Sequence, residues 1–192
     1  YIDEDKEVKL GENTRLTLSE LSNYLDSQSK STGLKLWVGK IWVDIKKKLN
    51  IRSKFEITTG STIMGVKGTK FYVGYELIEP VDELEEEVIQ VQSIQQGRRR
   101  NYRTNVAVLD GTVTVMPFNR RRPGNHRIDV HANQMLDFTD DQAEEQGDIS
   151  AQPFEPQDLD LFILEQIAKN PENYDEKLRA NLEQLLKQKR EE

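Results

Sequence analysis

Apolar and polar residues alternate in short runs through the first two-thirds of the chain. Leu16 and Leu18 share one face of a run that follows Gly11. Leu34, Leu36 and Val38 share another, with Gly33 and Gly39 as punctuation. Ile41, Val43 and Ile45 continue the pattern, with Trp42 on the opposite face. Phe55 and Ile57 follow, then the run 63–66, then Phe71, Val73 and Tyr75. Val106 and Val108 precede Asp110-Gly111, Val113 and Val115 follow it, and Ile128, Val130, Leu136 and Phe138 close the series. Period-two alternation over a few residues predicts half-buried strands. Asp-Gly between two such runs predicts a hairpin, because its turn positions favour positive φ. Many short strands separated by turn residues predict an all-β sandwich or related roll.

Two segments interrupt this rhythm. Residues 77–103 hold an acidic run, a Gln-rich piece and an arginine cluster, and read as an insertion between core strands. Val81, Leu84 and Val88 fit a helical stripe, whereas Ile89 and Val91 fit a strand. Residues 118–127 form a second excursion, with Pro123-Gly124 as its turn. The acidic stretch 139–155 has few large apolar residues and reads as a linker.

The period then changes. Pro156 suits a first helical position, and Leu159, Phe162, Ile163 and Ile167 lie on one helical face. Pro171 ends that helix, and Asn173 with Glu176 forms a capping-box pattern for the next. Tyr174, Leu178, Leu182 and Leu185 make its stripe, and Lys187, Lys189 and Arg190 suit its C-terminal end. The expected organisation is a mainly β domain at 8–138 with an insertion at 77–103, a linker at 139–155 and a helical hairpin at 156–190. The stripe Leu159, Phe162, Ile163, Ile167, Leu178, Leu182 and Leu185 must be buried on the other helix, on the β domain or on a second protein.

Composition narrows the chemistry. The chain has 192 residues, 35% hydrophobic and 32% charged, so its core occupies only part of the length. Net charge is -7, yet Arg98, Arg99, Arg100, Arg103, Arg120, Arg121, Arg122 and Arg127 form a basic zone between acidic ones. The absence of cysteine excludes disulfides, thiolate metal sites and cysteine nucleophiles. No stretch approaches the ~20 apolar residues that span a bilayer. Tyr1 stands in place of an initiating Met, which reads as a processed or trimmed end.

The ordered runs resemble the FecR-like domain family. Residues 14–19, then LWVGKIWV at 36–43, FEITT at 55–59 and VKGTKFYV at 66–73 are similar to its first four elements. VAVLDGTVTV at 106–115 and VHANQ at 130–134 are similar to its last two. Gly60 departs from the family's proline, Lys67 from its arginine, Asp110 from its glutamate and Asn133 from a glycine. The resemblance implies a FecR-like β-sandwich or roll that works outside the cytoplasm. In Gram-negative members such a domain relays an outer-membrane receptor's state to a sigma factor.

No residue set points to an enzyme, a cofactor or a metal. Gly68-Thr69 reads as a structural turn rather than a ligand contact. The acidic residues 137–145 lack the loop spacing of a calcium hand. His126 and His131 have no zinc or catalytic spacing. Trp37 and Trp42 read as core or interface residues, with a sugar platform as the alternative. The candidate binding residues are Arg98, Arg99, Arg100, Tyr102, Arg103, Arg120, Arg121 and Arg122. Arginine pairs bidentately with phosphate, and Tyr102 could stack on a base or sugar. The overall acidity argues against nucleic acid. The leading expectation is a non-enzymatic interaction or signal-relay module with a protein partner. The alternatives are a subunit of a surface assembly that contacts copies of itself, and a binder of anionic glycans.

Overall fold

The structure is a computed structural model, and it describes residues 1–2, 4–23, 30–50, 52–78, 100–117, 126–145, 148–174 and 176–191. The fold is mainly β. Its strands are β1 (Lys6–Leu10), β2 (Arg15–Asn23), β3 (Lys30–Ile45), β4 (Lys54–Thr58), β5 (Thr62–Val66), β6 (Lys70–Leu77), β7 (Tyr102–Asp110), β8 (Thr112–Pro117), β9 (Ile128–His131), β10 (Gln134–Thr139) and β11 (Gln152–Pro153). The helices are α1 (Asp140–Glu145), α2 (Leu161–Ala168), α3 (Glu176–Ala180) and α4 (Leu182–Glu191). Three-residue 3-10 turns occupy Pro156–Asp158 and Pro171–Asn173.

All strands belong to one curled sheet whose two halves share β3. The first half of β3 pairs antiparallel with β2 and parallel with β4, and β5, β8 and β9 follow in order. The second half of β3 pairs with β1 and β6, and β7, β10 and β11 follow. The sheet turns its corners at glycines. Gly39, at φ 103, sits inside β3 where the strand passes from one half to the other. A Cβ there would meet Thr14 Cα at 2.5 Å, so both the backbone angle and the space require glycine. Gly111, at φ 83, makes the corresponding corner between β7 and β8.

That second corner corrects the expected Asp110-Gly111 hairpin. β7 pairs with β6 and β10, whereas β8 pairs with β5 and β9. The chain crosses between the halves here instead of folding back on itself. A glycine with positive φ serves a corner as well as it serves a tight turn.

The register explains the core. On the inner face Ile41, Val73, Val106 and Leu136 stand in one cross-strand row. Leu34, Ile57, Met64, Val115 and Ile128 form a row in the other half. Phe55, Val66, Val113 and Val130 form the next. All are buried. Side chains on directly opposed residues share a face, so burying one face of each half selects this register.

The half built on β1, β6, β7, β10 and β11 also carries an apolar row on its outer face: Trp42, Tyr72, Ala107 and Met135. The C-terminal helices cover it. Leu159, Ile163, Leu164, Ile167, Leu178 and Leu182 are buried with Trp42, Tyr72, Ala107 and Leu109. Phe162, Tyr174, Leu185 and Leu186 pack against the same cluster. Of the three covers open to the stripe, the chain uses the β domain, because the sheet offers an apolar row for it. Each such aliphatic side chain contributes roughly 1.5–3 kcal/mol by leaving water.

Polar contacts seat the helices. Asp160 caps α2 by accepting from the Phe162 N–H at 2.7 Å. Its other oxygen lies 2.7 Å from Lys40 Nζ on β3. Burial opposes the charge on Lys40, but the hydrogen bond and charge of Asp160 win and raise its pKa. Pro156 opens a 3-10 turn, and the helix begins only after Leu159 has passed in extended form. The residues read as a linker, 139–155, carry α1 and the edge strand β11.

Candidate functional site

The features open to a partner lie on the other half of the sheet. β2 is its outermost strand, and among the described residues it pairs with β3 alone. Leu18 stands opposite Leu34, and Leu21 stands opposite Thr32. Thr32 in turn stands opposite Phe55. Leu18 and Leu21 are therefore the end members of the two inner apolar rows. They are 50% and 61% exposed, whereas the members behind them are buried. The core opens to solvent along this edge.

On the outer side of the same edge lies an aromatic and cationic cluster. Trp37, 44% exposed, donates from Nε1 to Thr17 Oγ1 at 3.1 Å. Lys35 Nζ lies 3.8 Å from the Trp37 ring centroid, and the Arg15 guanidinium lies 5.6 Å from it. Both distances allow cation–π attraction. Among the described residues neither cation forms an ion pair with a carboxylate.

Lys35 and Trp37 also form one wall of a cleft of about 590 Å³. The opposite wall is the start of α1, with Asp140, Asp141 and Glu144. The turn 59–61 and the rings of Tyr75 and Tyr102 complete it. Those rings stack at 4.6 Å between centroids and 14° between planes. Asp140 is the anchor. Its carboxylate accepts from Ser61 Oγ at 2.6 Å and from Tyr75 Oη at 3.1 Å. Burial raises its pKa and Asp141 adds to the rise; the donors Ser61, Tyr75 and the Tyr102 backbone oppose it. Burial, then the Asp140 charge, raises the Tyr75 phenol. Asn101 Nδ2 donates to Asp141 at 2.6 Å and steadies the same wall. Gly60 lies against Tyr75, whose hydroxyl a Cβ would meet at 2.2 Å.

The arrangement can hold polar groups but has no activated nucleophile. The Ser61 hydroxyl is spent on Asp140. His131 is on β9, with Nδ1 3.0 Å from Thr112 Oγ1, and His126 is exposed ahead of that strand. Among the described residues no three His, Cys, Asp or Glu side chains gather as a metal site. No described helix is long and apolar enough to cross a membrane.

The candidate residues separate. Arg100 and Tyr102 both line the cleft, and Tyr102 stacks on Tyr75 there. Arg103 faces Asp137 on β10 at 3.6 Å. Arg98, Arg99, Arg120, Arg121 and Arg122 lie outside the described residues, as does most of the 77–103 insertion. Gly68-Thr69 packs under the Gly111 corner, with Thr69 buried. Trp42 is sealed beneath the helices, while Trp37 is exposed. The sequence reading missed Leu21, Lys35, Arg15 and the Asp140–Ser61–Tyr75 cluster. Leu18 was visible as a strand residue, but nothing marked it as the end of a row.

The family model for FecR protein matches residues 2–114. The chain belongs to the FecR family. The match runs from the N-terminal residues into β8, so it includes β2, Trp37 and the turn at 59–61 of this FecR domain. The helices and Asp140 lie beyond it. Two crystal structures of a proposed anti-sigma factor from Parabacteroides distasonis ATCC 8503, at 1.65 and 2.50 Å resolution, are similar at 14% identity and a TM-score of 0.46. The alignment covers 80% of this chain and 54% of that one, so this FecR-family chain spans about half the length of that relative. No curated protein sequence matches the chain.

Proposed function

We propose that this chain is a non-enzymatic interaction module of the bacterial cell envelope, working outside the cytoplasm and relaying a signal by docking another protein. Family membership supports a signal-relay role in the envelope. The observation that carries the docking reading is the open β2 edge, where two core rows end in exposed leucines. Half-exposed leucines at the end of a core row leave apolar surface in water that the folded chain does not cover. Two such leucines together at an open strand edge fit a covered state. The helices, whose stripe is buried, are scaffold in this reading rather than contact surface.

Site-specific photo-crosslinking in the native host tests it. A crosslinking residue at Leu21 should capture one defined envelope protein, identified by mass spectrometry. One at the exposed Glu183 on α4 should capture none. Absence of any partner from probes spread over the whole surface would end the docking reading. A surface-assembly subunit remains the second reading, because an open edge can also join copies. Light scattering decides it: a monomer at all concentrations rules assembly out. The anionic-glycan reading rests on the arginine loops, of which Arg100 lines the cleft. Retention on heparin, lost when the arginines are replaced with serine, would support it.

A further inference from the structure

We infer that β2 receives an extended strand of another protein, apolar at alternate positions and carrying an acidic residue against Arg15 and Lys35. The inference rests on the docking reading above and adds the partner's chemistry. Three observations converge on it. First, the nine residues of β2 have one edge paired to β3 and, among the described residues, no strand on the other. Every second residue of such an edge presents an N–H and a C=O outward, which is what an added strand uses. Second, residues placed opposite Leu18 and Leu21 would continue the two inner rows by one member. They must be apolar for the same reason that Leu34 and Phe55 are. Third, the outer side at the Arg15 end holds two cations on the Trp37 ring with no carboxylate partner among the described residues. A carboxylate on the incoming strand supplies the missing charge. At the other end the exposed Glu20 accepts from Ser22 Oγ at 3.4 Å and adds to the Glu56 hydrogen bond and charge that raise the Lys54 pKa, so an acidic residue is disfavoured there. The edge therefore selects strand direction as well as composition.

The geometry disfavours a second copy of this chain as the occupant. β2 carries register shifts at 15/16 and between Leu18 and Glu20. In a symmetric pairing these bulges would disturb both strands, whereas an incoming regular strand meets them once. A twofold pairing that sets Leu18 against Leu21 places Ser19 opposite Glu20, four residues along the strand from Arg15.

The test uses the whole chain and two blocked synthetic octapeptides, one alternating valine with glutamate and one alternating valine with lysine. In the free chain the outward β2 amides should exchange rapidly with solvent. The Val-Glu peptide should slow their exchange and bind about tenfold more tightly than the Val-Lys peptide, a difference typical of well-placed charge complementarity. The double variant Arg15→Glu, Lys35→Glu should reverse that preference. Leu18→Ser with Leu21→Ser should abolish binding of both peptides while leaving the unfolding midpoint in place. Protection of the β2 edge in the free chain would overturn the proposal, as would equal binding of the two peptides or binding without β2 protection. β2 protection that appears only with rising protein concentration would assign the edge to a second copy. Heparin binding with the same variant dependence, but no β2 protection, would assign it to an anionic polymer. A partner crosslinked only from the α1 wall of the cleft would overturn the strand proposal and preserve the docking reading.

Discussion

The two halves of the sheet each carry apolar side chains beyond a single core, and they treat them in opposite ways. The half built on β6, β7 and β10 displays Trp42, Tyr72 and Ala107 on its outer face, and the chain then folds its own C-terminal helices over them. The half built on β2, β4 and β5 ends its inner rows at Leu18 and Leu21 and, among the described residues, covers neither. Both sets present largely apolar surface. What differs is whether the same polypeptide supplies the cover. Apolar surface that a chain covers itself contributes to its stability, and apolar surface left at a strand edge is available to something else.

The largest expected effect breaks this comparison or confirms it. Leu164→Ala, at a position with 0% exposure, should cost about 2–5 kcal/mol of unfolding free energy. Leu21→Ala should stay within about 0.5 kcal/mol, as for most surface changes. Urea unfolding of both variants measures the contrast. If Leu21→Ala costs as much as Leu164→Ala, the edge is not open and the two halves are equivalent.

Gly60→Ala probes the cleft and should rank next. The new methyl would displace the Tyr75 hydroxyl, which holds Asp140 and lies at the tip of a buried ring stacked on Tyr102. Overpacking of this kind costs about 1–3 kcal/mol. The near-ultraviolet circular dichroism of the tyrosine pair should weaken with it. An unchanged spectrum would mean that the turn at Gly60 moves aside and the Asp140 cluster is not rigid.

Asp160→Ala sharpens how the covered half is held. It removes the cap on α2 and the partner of Lys40 together. Loss of an N-cap costs about 0.5–2 kcal/mol. Asp160→Asn retains a capping oxygen and should cost less, since the ion pair it removes is partly exposed and worth at most about 1 kcal/mol. Equal unfolding midpoints for the two variants would place the whole effect in the ion pair and none in the cap.

The strands were legible because each buries one face, and alternation reports that directly. Ile41, Val43 and Ile45 could be read as one side of a strand without any knowledge of neighbours. Which strand would be an edge could not be read in the same way. Leu18 and Leu34 sit in equally alternating runs, and only the pairing order separates an exposed leucine from a buried one. Trp42 was visible as an opposite-face residue. That it belongs to an outer apolar row depends on Tyr72, Ala107 and Met135 arriving from three other strands. Asp140 was hidden within an acidic stretch. Only folding brings it to Ser61 and Tyr75, 79 and 65 residues away in the chain, and sets it apart from Asp141. Local pattern encodes faces, whereas the site is made of contacts between distant segments.

The smallest expected effect concerns pH, and it tests whether the Asp140 cluster is as buried as its contacts imply. Burial raises the folded-state pKa of Asp140 above its ordinary 3.8, and burial does the same to Asp44, with Lys70 opposing. Between the ordinary value and the folded one, the folded chain holds more protons than the unfolded chain. Stability contributed by these groups therefore falls as pH rises through that window. Most paired carboxylates act in the opposite sense, so the two groups should flatten the usual gain in stability above the acid range. Asp140→Asn removes one of them. Its urea midpoint should lie below that of the parent, because an amide can accept from Ser61 or from Tyr75 but not from both. Between pH 3.8 and the folded pKa its midpoint should climb more steeply with rising pH. A parallel displacement of the two curves would show that Asp140 titrates as it does in the unfolded chain, and the α1 wall of the cleft would then have to be more open than its hydrogen bonds to Ser61 and Tyr75 suggest.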